Sequence, residues 1–291
     1  MPTPPEPYRL TARSAHPQGT RVTIGGGVTF GGDEVVLMAG PCAVESEAQL
    51  RSIASRLAAS GVRVLRGGAF KPRTSPYDFQ GLGVDGYRIL RRVADEFGLR
   101  VVSEVLSEKS VEAAVECVDL LQVGSRNMQN FALLKELAQV DQPVLLKRGM
   151  SASYDELLSA AEYLLSGGNG AVVLCERGIR TFETRTRNTL DISAVPVLKS
   201  LTHLPVIVDP SHAAGRADIV PDLARASVAA GADGLLVEVH DHPSVAKSDG
   251  SQALVPERLD RMVRSLDAVA RAVGRRLSIE DEIVEASIDS A

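Results

Sequence analysis

From residue 35 onward the chain repeats one pattern. A short, almost wholly apolar run is followed by a longer segment in which apolar residues recur every three or four positions. The short runs are VVLMAGPC (35–42), VRVLRGG (62–68), RVVSEV (100–105), LLQVGS (120–125), PVLLKRG (143–149), AVVLCER (171–177), PVIVDPSH (205–212) and GLLVEVH (234–240). Apolar runs of this length without polar alternation predict strands buried on both faces. The segments between them carry helix signals. SEAQLRSIASRLAASG offers Ser46 as an N-cap and Gly61 past the end; SVEAAVECV predicts a helix from Ser110; ASYDELLSAAEYLLSGG stops at a Gly pair. Eight strand–helix units predict an α/β fold, a closed (β/α)8 TIM barrel. An open doubly wound sheet competes, but no Gly-x-Gly-x-x-Gly marks the first strand–helix turn.

Three parts follow from this pattern. Residues 1–34 form an N-terminal extension, Pro-rich and mobile at first, then a hairpin over RVTIGGGVTFGG (21–32) that plugs the underside of the barrel. Residues 35–274 form the catalytic barrel, closing with a helix over 255–274. Residues 275–291 form an acidic tail, either a frayed helix or an oligomer contact.

Composition narrows the function classes. The chain has 291 residues, 44% of them hydrophobic, enough for one large barrel core. The net charge is −5, and the last fourteen residues alone hold Glu280, Asp281, Glu282, Glu285 and Asp289 with no base. An acidic chain of this kind is not expected to bind nucleic acid. No apolar stretch approaches the roughly 18 residues needed to span a bilayer. The start, MPTPPEPYRL, lacks a basic region followed by an apolar run, so no secretory leader and a cytoplasmic enzyme are expected. Cys42, Cys117 and Cys175 are far apart and odd in number, which argues against a disulfide framework. Cys117 and Cys175 read as buried structural thiols.

In a barrel the chemistry sits at the C-terminal ends of the strands. Here nearly every strand ends in a polar group: Cys42, Arg66, Glu104, Ser125 with Arg126, Lys147, Glu176 with Arg177, Asp209 with His212, and Glu238. Among them, Cys42, His212 and Glu238, together with Asp249 in the loop after the last strand, supply one thiolate, one imidazole and two carboxylates. That set suits one divalent transition metal. Each has a plainer reading: a packed thiol, a helix cap, an Arg-paired carboxylate, an ordinary Asp-Gly turn. His240 and His242 are nearby alternatives. The second signal is positive charge. Arg66, Lys71, Arg73, Arg126, Lys147 and Arg177 fall at strand ends or in the second loop, with Arg180, Arg185 and Arg187 in the loop after the sixth strand. An acidic chain that gathers these cations at one mouth is expected to bind a polyanion. Pairing of these bases with Asp and Glu is the plainer reading, and it suits Arg148 and Arg185.

Several long motifs carry a resemblance. They are AGPCAVES (39–46), RGGAFKPRTSPYDFQG (66–81), QVGSRNMQN (122–130), LLKRGM (145–150), CERGIRTFE (175–183), TRNTLDISAVP (186–196), DPSHAAG (209–215) and EVHDHPSVAKSDGSQAL (238–254). Over roughly residues 21–272 the chain resembles the type I 3-deoxy-D-arabino-heptulosonate 7-phosphate (DAHP) synthases, in the branch shared with the 3-deoxy-D-manno-octulosonate 8-phosphate synthases. The resemblance implies condensation of phosphoenolpyruvate with erythrose 4-phosphate and water, the first step of the shikimate route to aromatic amino acids. It implies Cys42, His212, Glu238 and Asp249 as ligands of one divalent ion (Mn, Zn, Fe or Co). Arg66, Lys71, Arg126, Lys147 and Arg177, with Ser125, would hold phosphoenolpyruvate, and Arg73, Thr74 and Ser75 would receive the aldose phosphate. Lys71, at the junction, is the expected proton donor, beside Cys42 and His212 as catalytic ligands. Glu104 and Asp209 are expected to orient water or His212.

KPRTS stands where octulosonate relatives carry KANRS, which favours the four-carbon aldose. Cys42 stands where metal-independent relatives carry Asn. An octulosonate synthase or another metal-dependent aldolase barrel is the alternative enzyme, and a regulatory paralog that binds a chorismate-pathway partner is the non-catalytic one. With 34 residues before the first strand, no room is expected for the added regulatory domain of some members. A homo-dimer or homo-tetramer is expected.

Overall fold

The computed structural model describes residues 8–73 and 75–279. Thr74, the first seven residues and the acidic stretch from Glu280 lie outside the described residues. Val22–Thr23 (β1) and Thr29–Phe30 (β2) pair antiparallel as a short hairpin. Eight parallel strands follow: Glu34–Gly40 (β3), Val64–Arg66 (β4), Arg100–Val105 (β5), Leu120–Val123 (β6), Val144–Lys147 (β7), Val172–Glu176 (β8), Val206–Val208 (β9) and Gly234–Glu238 (β10). Each pairs with the next, and β10 returns to β3, with Gly234 opposite Val36 and Glu238 opposite Gly40. That last pairing closes the cylinder, so the fold is a (β/α)8 barrel.

The outer layer is built from Glu47–Ala59 (α1), Val84–Glu96 (α2), Glu108–Ala114 (α3), Phe131–Leu137 (α4), Tyr154–Ser166 (α5), Ala194–Leu201 (α6), Pro210–Ala214 (α7), Val220–Ala229 (α8) and Pro256–Ala272 (α9). Their starts follow local chemistry. The Ser46 hydroxyl accepts from Gln49 N–H at 3.1 Å, and Ser153 and Glu156 satisfy each other's backbone in a capping box. The third helix starts earlier than the expected Ser110. Ser107 is its cap, and the Ser110 hydroxyl bonds back to the Ser107 N–H at 2.9 Å. Arg276–Ser278 (β11), within the segment read as a tail, adds to the start of β3.

Two apolar cores result. One lies between the strands and the helices. The other fills the barrel interior, where Val36, Met38, Val64, Val102, Leu120, Leu145, Val173, Ile207 and Leu236 meet Val22, Ile24, Val28 and Phe30 of the hairpin. Inward-facing aliphatics therefore seal the lower barrel, and polar inward positions are left only near the strand C-termini. Most strands also stop short of their expected ends. β3 ends at Gly40 rather than Cys42, and β9 at Val208 rather than His212. At Gly40 the β3 backbone crosses so close to Arg66 that a Cβ would lie 2.1 Å from the Arg66 carbonyl oxygen. At β9, Pro210 and the Asp209 carboxylate, which accepts the His212 N–H at 2.8 Å, turn the chain directly into α7.

The segment before the hairpin is strapped to the helical layer. The Glu162 carboxylate on α5 accepts the N–H groups of Arg9, Leu10 and Thr11 at 2.8–2.9 Å and the Thr11 hydroxyl at 3.0 Å. His203 Nε2 meets the Leu10 carbonyl at 2.7 Å. Burial alone would raise the Glu162 carboxyl, but the three backbone donors hold it below its ordinary value. A depressed folded pKa means that this stabilisation is present above about pH 4.3 and is lost as pH falls through the folded value. Hydrogen exchange at Arg9–Thr11, corrected for intrinsic rates, should therefore show protection at pH 7 that declines at pH 3. Glu162→Gln should cut the neutral-pH protection by about fivefold and remove the pH step, since a hydrogen bond to a charged acceptor contributes roughly 1 kcal/mol more than a neutral one. Equal protection in both proteins at both pH values would contradict the strap.

Candidate active site

Cys42, His212, Glu238 and Asp249 come from four places in the chain and meet at one point. Cys42 follows β3, Glu238 ends β10, His212 lies in α7, and Asp249 sits in the loop before α9. One donor atom from each lies within 4.8 Å of every other. Cys42 Sγ is 3.3 Å from Asp249 Oδ2, and His212 Nε2 is 3.2 Å from Glu238 Oε1 and 3.9 Å from Asp249 Oδ2. Asp249 is the only non-glycine residue with positive φ among those described, at 52°, so its backbone is held in the left-handed region to bring the carboxylate in.

The protonation pattern tests whether a cation fits. Burial alone would raise the Asp209 carboxyl, but the His212 ring and the Lys147 ammonium hold it well below the usual carboxylate range. As an ionised acceptor it accepts a hydrogen bond from the His212 Nδ1–H at 2.7 Å. Burial also lowers His212, despite Asp209 and Glu238 beside it, so the ring stays neutral. His212 Nε2 is then a bare lone pair facing two carboxylates. Burial, reinforced by Glu238, pushes the Cys42 thiol up to about 11. Three acceptors and a thiol brought within 4.8 Å of one another form a donor set that a divalent ion satisfies by displacing the thiol proton. Second contacts fix these side chains. Glu238 Oε2 accepts from Gln252 at 2.8 Å, and Glu238 Oε1 accepts from Arg66 at 3.0 Å. The residues present therefore fit a metal.

Beside this cluster opens a cavity of about 270 Å³. Arg66, Lys71, Arg73, Arg126, Lys147, Arg177 and Arg187 line it, against Asp78, Glu104 and Asp249 as its acids. The cations differ in how they are occupied. Lys147 pairs with Asp209, and Arg66 with Glu238; both are buried. Lys71 Nζ donates to the Cys42 carbonyl at 3.0 Å and to Cys42 Sγ at 2.9 Å. Arg177 donates to Asn188 Oδ1 at 2.6 Å and to the His212 carbonyl at 3.0 Å. Arg126 is exposed and, among the described residues, reaches only the Pro72 carbonyl, at 3.4 Å. Among the described residues, Lys71, Arg126 and Arg177 thus face the cavity without a carboxylate partner. The arrangement suits a small, multiply charged anion next to a Lewis acid.

Other sequence-singled residues fall variously. Ser125 lines the cavity. Ser75 does not; its hydroxyl accepts the Tyr77 N–H at 3.3 Å. Thr74 lies outside the described residues. Glu104 lines the cavity against Gly124, where a Cβ would lie 1.9 Å from its carboxylate oxygen. Arg148 is spent on Glu176 and Asp191, at 2.9 and 2.8 Å. His240 bonds Gln49 at 3.1 Å, and neither it nor His242 belongs to the four-residue cluster. Arg187, one of the loop cations, bonds Asp249 at 3.2 Å. Three contributors escaped sequence reasoning: Gln252, Asn188 and Ser248. Only their presence inside the long motifs could have flagged them; their spacing carries no signal.

Comparison with known proteins now adds to the geometry. Residues 14–273 match the DAHP synthetase I family, and the chain belongs to it. It is 48% identical over 273 residues to a phospho-2-dehydro-3-deoxyheptonate aldolase of Thermotoga maritima, covering 94% of this chain and 80% of that one. A 2-dehydro-3-deoxyphosphooctonate aldolase of Koribacter versatilis is 33% identical, covering 84% of this chain and 95% of that one. The crystal structure of a Thermotoga maritima phospho-2-dehydro-3-deoxyheptonate aldolase (DAHP synthase) superimposes with a TM-score of 0.90 at 47% identity, covering 94% of this chain and 79% of that one.

Asp209 is the residue whose removal tests the cluster without touching a metal donor. Asp209→Asn should weaken zinc or cobalt binding, read by competition with a chelator, by about 10- to 100-fold, because it loses both the Nδ1 acceptor and the negative charge behind His212. Binding unchanged within twofold would show that His212 does not act through Nε2 in this cluster.

Proposed function

We propose that the chain condenses phosphoenolpyruvate with erythrose 4-phosphate and water, giving 3-deoxy-D-arabino-heptulosonate 7-phosphate and inorganic phosphate. This is the first step of the shikimate pathway to the aromatic amino acids, and the enzyme is a transferase with aldol-type bond formation. The observation that carries the reading is the pairing of one four-donor cluster with a cavity whose Lys71, Arg126 and Arg177 face it without carboxylate partners.

In this reading Arg126, Arg177, Lys147 and Arg66, with Ser125, hold the phosphate and carboxylate of phosphoenolpyruvate. Guanidinium forks suit both groups, and Lys supplies a point charge. Arg73, with Thr74 and Ser75, receives the phosphate of the aldose. Two anions that would repel in water are thereby fixed side by side, and such positioning supplies several kcal/mol, within the roughly 7–11 kcal/mol that oriented reactants can gain. The C3 carbon of phosphoenolpyruvate bonds to the aldehyde carbon, water adds at C2, and the C2–O bond to phosphate breaks. Lys71 Nζ, 2.9 Å from Cys42 Sγ, is positioned to give a proton to the aldehyde oxygen as it becomes a hydroxyl. The divalent ion held by Cys42, His212, Glu238 and Asp249 supplies Lewis-acid polarisation when bound. One thiolate, one imidazole and two carboxylates suit Mn, Zn, Fe or Co.

The same proposal divides the chain into an extension over 1–34, a catalytic barrel over 35–274 and an acidic tail over 275–291, whose Arg276–Ser278 pairs with β3. A cytoplasmic location is supported by three cysteines that form no disulfide. Among the described residues no helix is long and apolar enough to cross a membrane. Assembly as a homo-dimer or homo-tetramer belongs to the same proposal.

Phosphate release is the direct assay. Metal-stripped protein should be inactive, and adding back one of the four metals should restore turnover with phosphoenolpyruvate and erythrose 4-phosphate. Turnover with arabinose 5-phosphate should be at least about tenfold slower, since a misplaced terminal phosphate forfeits charge-assisted hydrogen bonds of roughly 1.5–3 kcal/mol. Faster turnover with arabinose 5-phosphate would assign the chain to octulosonate synthesis instead.

A further inference from the structure

We infer that Ser248 is a positioning residue that ties the aldose-phosphate side of the cavity, through Arg73, to the sulfur of Cys42. The inference rests on the proposed role of Arg73 as a receiver of the aldose phosphate. Ser248 is 5% exposed and precedes Asp249 in the loop before α9. Arg73 Nη1 donates to the Ser248 oxygen at 2.8 Å, and the same oxygen lies 3.2 Å from Cys42 Sγ.

The direction of these bonds follows from what each group can do. A guanidinium only donates, so the Ser248 oxygen accepts from Arg73 and its single proton is free to point at the sulfur. As a metal ligand Cys42 is a thiolate, which accepts. Lys71 Nζ is the second donor to that sulfur, at 2.9 Å. The three groups form a chain, guanidinium to hydroxyl to sulfur. Each donor in such a chain strengthens the next, because an oxygen that accepts from a cation becomes a better donor. Among the described residues Arg73 is otherwise held only loosely, its Nε 3.5 Å from Asp78. The loop is independently pinned, with the Glu45 carboxylate accepting the Lys247 N–H at 2.7 Å, so Ser248 keeps its place when Arg73 moves.

A phosphate that draws Arg73 toward itself withdraws the cationic donor from Ser248. The hydroxyl then donates less strongly, and the sulfur becomes more electron-rich. Arrival of the second substrate is thereby reported at a metal ligand, on the side of the cluster where the aldehyde must be polarised. No proton is transferred; only hydrogen-bond strength changes.

Cobalt(II) makes this visible, because a thiolate bound to cobalt gives a charge-transfer band whose energy falls as the sulfur becomes more electron-rich. The full-length chain is loaded with cobalt and titrated with erythrose 4-phosphate in the absence of phosphoenolpyruvate, so that no turnover occurs. The wild-type band should move to longer wavelength on titration. In Ser248→Ala the band should already lie at longer wavelength and should not move. Cobalt affinity, measured by chelator competition, should be weaker in this variant by about tenfold. A variant band that shifts with erythrose 4-phosphate as in wild type would overturn the inference. A wild-type enzyme that turns over erythrose 4-phosphate but shows no band shift would overturn it too, leaving the proposed function intact. A wild-type enzyme that does not turn over erythrose 4-phosphate would remove the proposed function itself.

Discussion

Four electron-pair donors crowded into one half-buried space are the constraint on which the upper barrel depends. His212 Nε2 lies 3.2 Å from Glu238 Oε1 and 3.9 Å from Asp249 Oδ2, with the Cys42 sulfur 3.3 Å from Asp249. Mutual repulsion of such groups in a poorly solvated site costs several kcal/mol unless positive charge is supplied. The chain supplies part of it through Arg66 and Lys71. Neither bonds to His212 or Asp249 among the described contacts, and the cluster reads as a seat for a cation rather than as a stabilising salt-bridge network.

The fold makes this arrangement tolerable by rigidity. Closure of the sheet through β10 and β3 fixes Glu238 beside Gly40, and the next two residues deliver Cys42. Asp209 does three things at once. It caps α7, fixes the His212 tautomer and pairs with Lys147. Lys147 is thereby aligned at the cavity wall. Buried pairs such as Lys147–Asp209 and Arg66–Glu238 are poor sources of stability, since desolvation offsets most of their attraction. Their value is geometric. They are bought by the lower barrel, where Phe30 and the aliphatic layers of the interior supply the apolar burial that the upper end forgoes.

The strand cores were legible in the sequence because burial on both faces leaves no polar alternation, and all eight apolar runs contain a strand. The strand ends were less legible. The reading ran β9 through His212, whereas Pro210 and the Asp209 cap turn the chain into α7 after Val208. A periodicity argument sees apolar residues and cannot see a cap that acts through a side chain three positions away. Cys42, His212, Glu238 and Asp249 could be singled out because each is a costly residue type in a costly place. Gln252, Asn188 and Ser248 could not, because amides and hydroxyls occur everywhere and acquire meaning only from what they touch.

The central claim is that a single cation belongs between these four side chains. The most direct measurement is anomalous diffraction from crystals grown with manganese or zinc. The account predicts one strong peak bonded to Cys42 Sγ, His212 Nε2 and a carboxylate oxygen each of Glu238 and Asp249, at about 2.0–2.4 Å. A peak elsewhere in the barrel, or full metal occupancy with the Cys42 sulfur turned away from the ion, would contradict it.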